Sequence, residues 1–341
     1  MEEIVPKVRI PNSLKPIYLA RHLLKREDMF SDFAQKIYKR YEVSISATPN
    51  QIATPVERIS IDKFNLEMVH TKPSKPLVIT NFFKKEIIEI NDLKTKYGST
   101  MVPTHRKAIK GRSWHEQKVE LIQMREVISR IENGENLSVI SCAQLFEEHP
   151  ELLDKLRCEE LSELFRISFF REELFVGGKN ASSAFHCAAG ANFFIMVTGR
   201  KKWVLVDPRD SLAMYPMIGL NPSAAIIGSP VNSAKSNGDY LLYDKVSKYE
   251  AILNPGDILF NPSWWWHEVT NLSVAIGCPL RTMVGGLNNS FFNLLAATSP
   301  FGIRNMIRAY WNESQKGARR WKLPDSMILN TFPGMNKKEK K

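Results

Sequence analysis

Between residues 165 and 285 the chain is a succession of short apolar or alternating runs broken by turns. This density of strand-length runs is the strongest constraint on its fold. "LFRISFFREELFVGG", "AFHCAAGANFFIMVTGRKKWVLVDP" and "YEAILNPGDILFNPSWWWHEVTNLSVAIGCPLRTMVGG" follow one another with little between them. "TGRKK" and "NPGD" carry turn chemistry, the second with Pro255 and Gly256 in the order a type II turn requires. Many short strands of this kind close into a sandwich or barrel. The stretch "NPSAAIIGSPVNSAKSNGDY" between them reads as a long loop near the barrel mouth.

The flanks have another texture. Residues 1–55 combine a charged run of helical spacing with a polar, proline-bearing linker, and read as an N-terminal helical extension. "KPLVITNFF" is a buried strand by its branched apolar content. Residues 116–165 read as a mostly helical insert, and helical signals return from 290 to a basic tail at 341. The predicted layout is therefore 1–55 extension, 56–289 barrel domain with the helical insert, and 290–341 C-terminal helical segment. The fold class is mainly β, a double-stranded β-helix (a jelly-roll, cupin-like barrel) with N- and C-terminal helices as cover.

The formal net charge of +11 favours polyanions, acidic surfaces or anionic small molecules as partners. No nucleic-acid-binding signature accompanies it, and the basic stretch Arg304–Lys322 reads as a solvated helix face. Cys142, Cys158, Cys187 and Cys278 are scattered without paired spacing, which suits a reducing compartment. The N-terminus lacks the apolar region of a signal peptide, and no apolar run approaches the roughly 18 residues of a membrane span. The expectation is a soluble intracellular protein of cytoplasm or nucleus.

Two histidines, His186 and His267, sit inside β runs 81 residues apart, so any joint site needs tertiary pairing. A lone histidine in an apolar strand is more often a satisfied core residue than a ligand. By two-residue parity Trp265 shares a face with His267, which makes it a pocket candidate, while Trp266 and Glu268 share the other face. The remaining histidines, His22, His70, His105, His115 and His149, lie in polar or helical contexts and read as surface or capping residues.

These runs resemble the JmjC and cupin-like group of Fe(II)/2-oxoglutarate oxygenases, to which the asparaginyl hydroxylase acting on hypoxia-inducible factor belongs. The resemblance covers roughly residues 55–285 and rests on "AFHCAAGANFFIMVTGRKK", "NPGDILFNP" and "WWWH". It implies that His186 and His267 are metal ligands for Fe(II). It implies that Lys201 and Ser183, the latter where the family has Thr, anchor 2-oxoglutarate together with Asn192. Cys278 falls near where the family often has a polar residue beside the co-substrate. Lys201 faces inward if it alternates with Trp203 and Leu205, whereas a slip of one residue would place Lys202 there instead.

The pattern fails at one position. The family's third ligand is a carboxylate two residues after the first histidine, and Ala188 stands there. Cys187 and Glu268 point to the opposite faces by parity, and nothing in the sequence brings Asp239 or Asp244 in. Three readings remain open: an oxygenase with a two-histidine iron site acting on an unactivated C–H, a halogenase with chloride in the vacated position, or a pseudoenzyme that keeps the barrel as a binding scaffold. The substrate is open among protein side chains, nucleic acids and small molecules, and so is the oligomeric state.

Overall fold

In a computed structural model of the chain, residues 12–24, 29–44, 53–70, 74–84, 87–106, 119–167, 171–217, 226–232 and 240–282 are described, with Ser290 and Asn293. The first sheet runs, in spatial order, β1 (Thr54–Pro55), β13 (Lys248–Leu253), β11 (Lys201–Val206), β15 (Trp266–Asn271), β9 (His186–Ala188) and β12 (Ile226–Gly228). The second runs β2 (Arg58–Ser60), β3 (Leu77–Thr80), β14 (Ile258–Asn261), β10 (Ala191–Thr198), β16 (Ala275–Thr282), β8 (Leu174–Gly177), β6 (Leu137–Cys142), β4 (Met101–Arg106) and β5 (Val119–Gln123). The two-residue strand β7 (Arg171–Glu172) adds to β16. Pairs are antiparallel throughout, except β1 with β13 and β2 with β3.

Period-two alternation sorts the core into three layers. Between the sheets lie Phe194, Met196 and Leu259 from one side and Trp203, Leu205, Ala251 and Leu253 from the other. The outer face of the larger sheet, with Phe193, Ile195, Phe260 and Leu280, packs under helices that include Met124–Glu132 and Cys158–Phe165. The outer face of the smaller sheet, with Val204, Val206, Trp264 and Trp266, packs under helices Leu14–Leu24 and Ser31–Ser44 and the 3-10 segment Pro208–Met214. A buried hydroxyl pair, Tyr18 with Tyr38 at 2.7 Å, and the Tyr38 donation to Leu212 O at 3.0 Å dock those helices. This is the helix-covered jelly roll that the runs of 165–285 call for. The turns are as expected, with Gly256 (φ +89°) in "NPGD" and Gly199 (φ +76°) in "TGRK" adopting the left-handed backbone that glycine tolerates.

Two elements differ from the sequence reading. The span 116–165 is mostly helix among its described residues, with Met124–Glu132, Gln144–Glu148, Glu151–Lys155 and Cys158–Phe165, but "VELIQ" and "LSVISC" within it are the strands β5 and β6, both paired with β4. "VELIQ" continues a helical run in sequence, and sheet pairing with a strand distant in sequence overrides it. The span read as a loop near the mouth contains β12, which pairs with β9. The linker near 45–52 and almost all of the C-terminal segment 290–341 lie outside the described residues. Among the described residues, no helix is long and apolar enough to cross a membrane.

The interior leaves no room at Gly277 on β16, where an added Cβ would lie 2.1 Å from the tip of the Phe194 ring. Gly277→Ala should therefore overpack the barrel and lower stability by about 1–3 kcal/mol. Urea unfolding followed by circular dichroism checks this, and an unchanged midpoint would show that the ring has room to move.

Candidate active site

Strands β9 and β15 meet at one residue pair, and that pair is His186 with His267. Directly paired residues of adjacent strands project to the same side. His267 also pairs with Leu205 of β11, an inter-sheet residue, so both imidazoles point between the sheets. Their ring centroids are 4.2 Å apart at an interplanar angle of 54°. Trp203 stacks on His267 from the other side at 5.4 Å.

The tautomers follow from the hydrogen bonds. Nδ1 of His186 lies 2.9 Å from Ala184 O, and Nδ1 of His267 lies 2.9 Å from Trp265 O. A carbonyl only accepts, so each Nδ1 carries the proton and each Nε2 keeps its lone pair, the arrangement that orients an imidazole as a metal ligand. Asn261 has its side-chain amide 3.2 Å from His267 Nδ1, and its Oδ1 is buried without a partner as assigned. Turning the amide so that its oxygen faces the ring replaces a donor–donor contact at Nδ1 with a donor–acceptor one. Burial holds the His186 imidazole down to about 4, with the nearby Arg281 charge adding to the effect. Burial, then the neighbouring His186, then Arg281 hold His267 well below the ordinary histidine range. Both rings are neutral at physiological pH.

Lys201 is the inward lysine. It pairs across β15 with Asn271, is 6% exposed, and donates from Nζ to Asn271 Oδ1 at 2.6 Å. Lys202 faces out and pairs with Glu250 at 2.7 Å, which settles the register. Loss of hydration on burial pulls the Lys201 ammonium down to about 7, and no carboxylate offsets it. A buried ammonium whose partner is a neutral amide is an incomplete anion site. Asn271 is itself held by donation from Nδ2 to Gly178 O at 3.1 Å.

The other residues singled out from sequence fall in several places. Asn192, on β10, pairs with Asn261 and with Arg281, is 3% exposed, and has a partnerless Oδ1. Ser183 accepts the Val269 N–H through Oγ at 3.1 Å, inside the seam between β15 and the segment leading to β9. Ala188 is half-buried and its carbonyl accepts the Trp264 N–H at 2.8 Å. Among the described residues, no group of three or more His, Cys, Asp or Glu side chains gathers as a metal site, and Glu268 points into the outer layer near Tyr243. Trp265 packs between the sheets but against Tyr249, with its Nε1 bonded to Ser74 O at 3.0 Å. Cys278 is not brought to the site. It sits opposite Ile195 on the outer face of β16, since inner positions there are 277, 279 and 281. His149 bonds Thr100 and stacks edge-on to Tyr97 far from this group, His70 is exposed, and His115 lies outside the described residues.

Sequence reasoning missed Asn261, Asn271, Trp203 and Arg281. Asn271 was readable as the second same-face residue after His267, and Trp203 as the same-face neighbour of Lys201. Arg281 was not, because "AIGCPLRT" is apolar on both faces and hides its parity.

A family model described as a cupin-like domain matches residues 61–315, well over half of the chain. The chain is 34% identical over 115 residues to tRNA wybutosine-synthesizing protein 5 of Mus musculus, covering 32% of this chain and 35% of that one. It is 25% identical over 229 residues to JmjC domain-containing protein D of Dictyostelium discoideum, covering 58% and 49%. With tRNA wybutosine-synthesizing protein 4 of Gibberella zeae it shares 32% over 149 residues, covering 42% and 14%. The chain thus spans less than half the length of each of these relatives.

The histidine geometry has a pH signature. The unfolded chain takes up a proton at His186 near the ordinary 6.5, and the folded chain only near 4. Between these values the unfolded state holds more protons, so stability is full above the window and falls as pH drops through it. Thermal melts from pH 7 to 4 should show this loss, and His186→Gln should flatten it. An equally steep loss in the variant would assign the acid sensitivity elsewhere.

Proposed function

The chain belongs to the cupin-like domain family, whose barrel is of the JmjC oxygenase type, and on that footing we propose that it is an Fe(II)- and 2-oxoglutarate-dependent oxygenase acting on an unactivated C–H. The observation that carries this reading is the pair of neutral imidazoles, both anchored through Nδ1, with no hydrogen bond to either Nε2 among the described residues. Neutral imidazole nitrogen suits Fe(II). The donor set fits a metal held by two protein ligands, His186 and His267, with Ala188 contributing none. When bound, iron with 2-oxoglutarate supplies the O2-dependent oxidation.

The chain's own residues do the rest. Lys201 is the counter-charge for the far carboxylate of 2-oxoglutarate, and Ser183, whose Oγ accepts one N–H, has its hydroxyl hydrogen left to donate. Asn271 aims the Lys201 ammonium, and Asn192 offers its amide from the facing sheet. Trp203 and Phe194 wall the interior and exclude water from it. The surplus of positive charge, and relatives named for tRNA wybutosine synthesis, favour a nucleic-acid-linked or otherwise anionic substrate.

Anaerobic addition of Fe(II) and 2-oxoglutarate to the full chain should produce the weak visible metal-to-ligand band. Failure to retain metal or form the band would leave the barrel as a binding scaffold. Lys201→Met should weaken 2-oxoglutarate binding by at least about tenfold, the worth of one charged hydrogen bond, while metal binding stays. Because the free ammonium is pulled to about 7, pairing it with a carboxylate must raise its pKa and draw in a proton above that pH. Calorimetry at pH 8 in buffers of different ionisation enthalpy should register this uptake in the wild type and not in Lys201→Met.

A further inference from the structure

On β16 the inner face carries Pro279 and Arg281, because their partners Phe194 and Asn192 point between the sheets. Glu173 stands beside them, its backbone N–H donating to Pro279 O at 3.3 Å and its side chain 3% exposed. Nε and Nη2 of Arg281 both reach Glu173 Oε2 at 3.3 Å. These contacts are longer than the roughly 2.7–2.9 Å of a tight charge-assisted bond. They fix one edge of the guanidinium and leave Nη1 uncommitted among the described residues. The Arg281 side chain is 24% exposed, so it stands where the interior opens to solvent. Its strand partner Asn192 pairs on its other side with Asn261, whose amide lies 3.2 Å from His267 Nδ1, which sets Arg281 two strands from the residue that touches the histidine.

This places a cation beside a metal site that has no anionic ligand. A divalent ion on two neutral imidazoles keeps its whole charge, and a guanidinium nearby raises it further. In a desolvated interior two such charges repel strongly unless an anion lies between them. Ala188 provides none, and Glu173 is engaged with Nε and Nη2 of Arg281. We infer that Arg281, steadied by Glu173, binds a monoanionic group against the two-histidine centre, either a small free anion or the carboxylate of an organic acid. The inference rests on the two-histidine metal reading above. Arg281 is a positioning residue for that anion, and the anion supplies the negative charge that Ala188 does not.

The test is Co(II) binding, followed anaerobically by visible absorption on the full chain. Buffers of equal ionic strength are set with perchlorate, chloride or formate, and a further series contains 2-oxoglutarate. Wild type should bind Co(II) about tenfold more tightly with a coordinating anion than with perchlorate, the scale of one charged contact. Arg281→Gln should lose that dependence. The double variant Glu173→Gln/Arg281→Gln keeps the pair hydrogen-bonded without charge, guards against misfolding of the single variant, and should lose it equally. Ala188→Asp should bind tightly in every buffer. A gain with 2-oxoglutarate alone assigns the anion to the organic acid, and a gain with chloride or formate assigns it to a free anion. Equal binding of the wild type in all buffers, or an anion dependence that survives in the double variant, overturns the inference while leaving the metal reading intact. No Co(II) bound by wild type or Ala188→Asp in any buffer removes the metal reading itself, and the inference with it.

Discussion

The two-residue period of β11 and β15 is the constraint on which the site depends. One register places Lys201, Trp203 and Leu205 opposite Asn271, Val269 and His267, all facing the gap between the sheets. The same register sends Lys202 to an exposed ion pair with Glu250 and gives Trp266 and Glu268 to the outer layer. A slip of one residue would exchange every one of these positions. It would also strand the buried Asn271, whose amide is committed at both ends, to Lys201 and to Gly178. The apolar layers therefore do more than hold the barrel together, because they decide which of two adjacent lysines is stripped of water.

That choice sets the electrostatics of the interior. Lys201, Arg281 and two uncharged imidazoles share the space between the sheets, and the buried carboxylate of Glu173 is turned onto Arg281. The interior is short of negative charge, and low dielectric magnifies the shortage. An oxygenase that brings its anions in with its co-substrates can work from that state, whereas a purely structural barrel would gain stability by giving it up.

Much of this was legible in the sequence, for identifiable reasons. Turns at "NPGD" and "TGRK", with runs of fixed parity between them, specify the barrel, because glycine conformation and alternation are local properties. The family resemblance of "HCAAGAN" and "WWWH" pointed at the histidines, and parity alone excluded Cys187 and Glu268. Parity failed where both faces of a strand are buried. β16 reads as continuous apolar sequence, so its parity neither removes Cys278, a candidate by the resemblance alone, nor points to Arg281. "VELIQ" reads as part of a helical run because its strand character depends on β4, which the sequence does not place beside it.

The seam between β9 and β15 is the thinnest part of the barrel. Three residues make up β9, and His186 with His267 is its one ladder pair to β15. Around that pair the chain makes do with substitutes. The Ser183 hydroxyl takes the Val269 N–H in place of a carbonyl, and Ala188 O receives Trp264, whose backbone is forced to φ +67°. The segment before β9 is itself bonded to β15, through Asn180 N to Asn271 O, Asn271 N to Ala181 O and Ser183 N to Val269 O, so an ion gripping both imidazoles would act as a rivet that extends this seam to its far end.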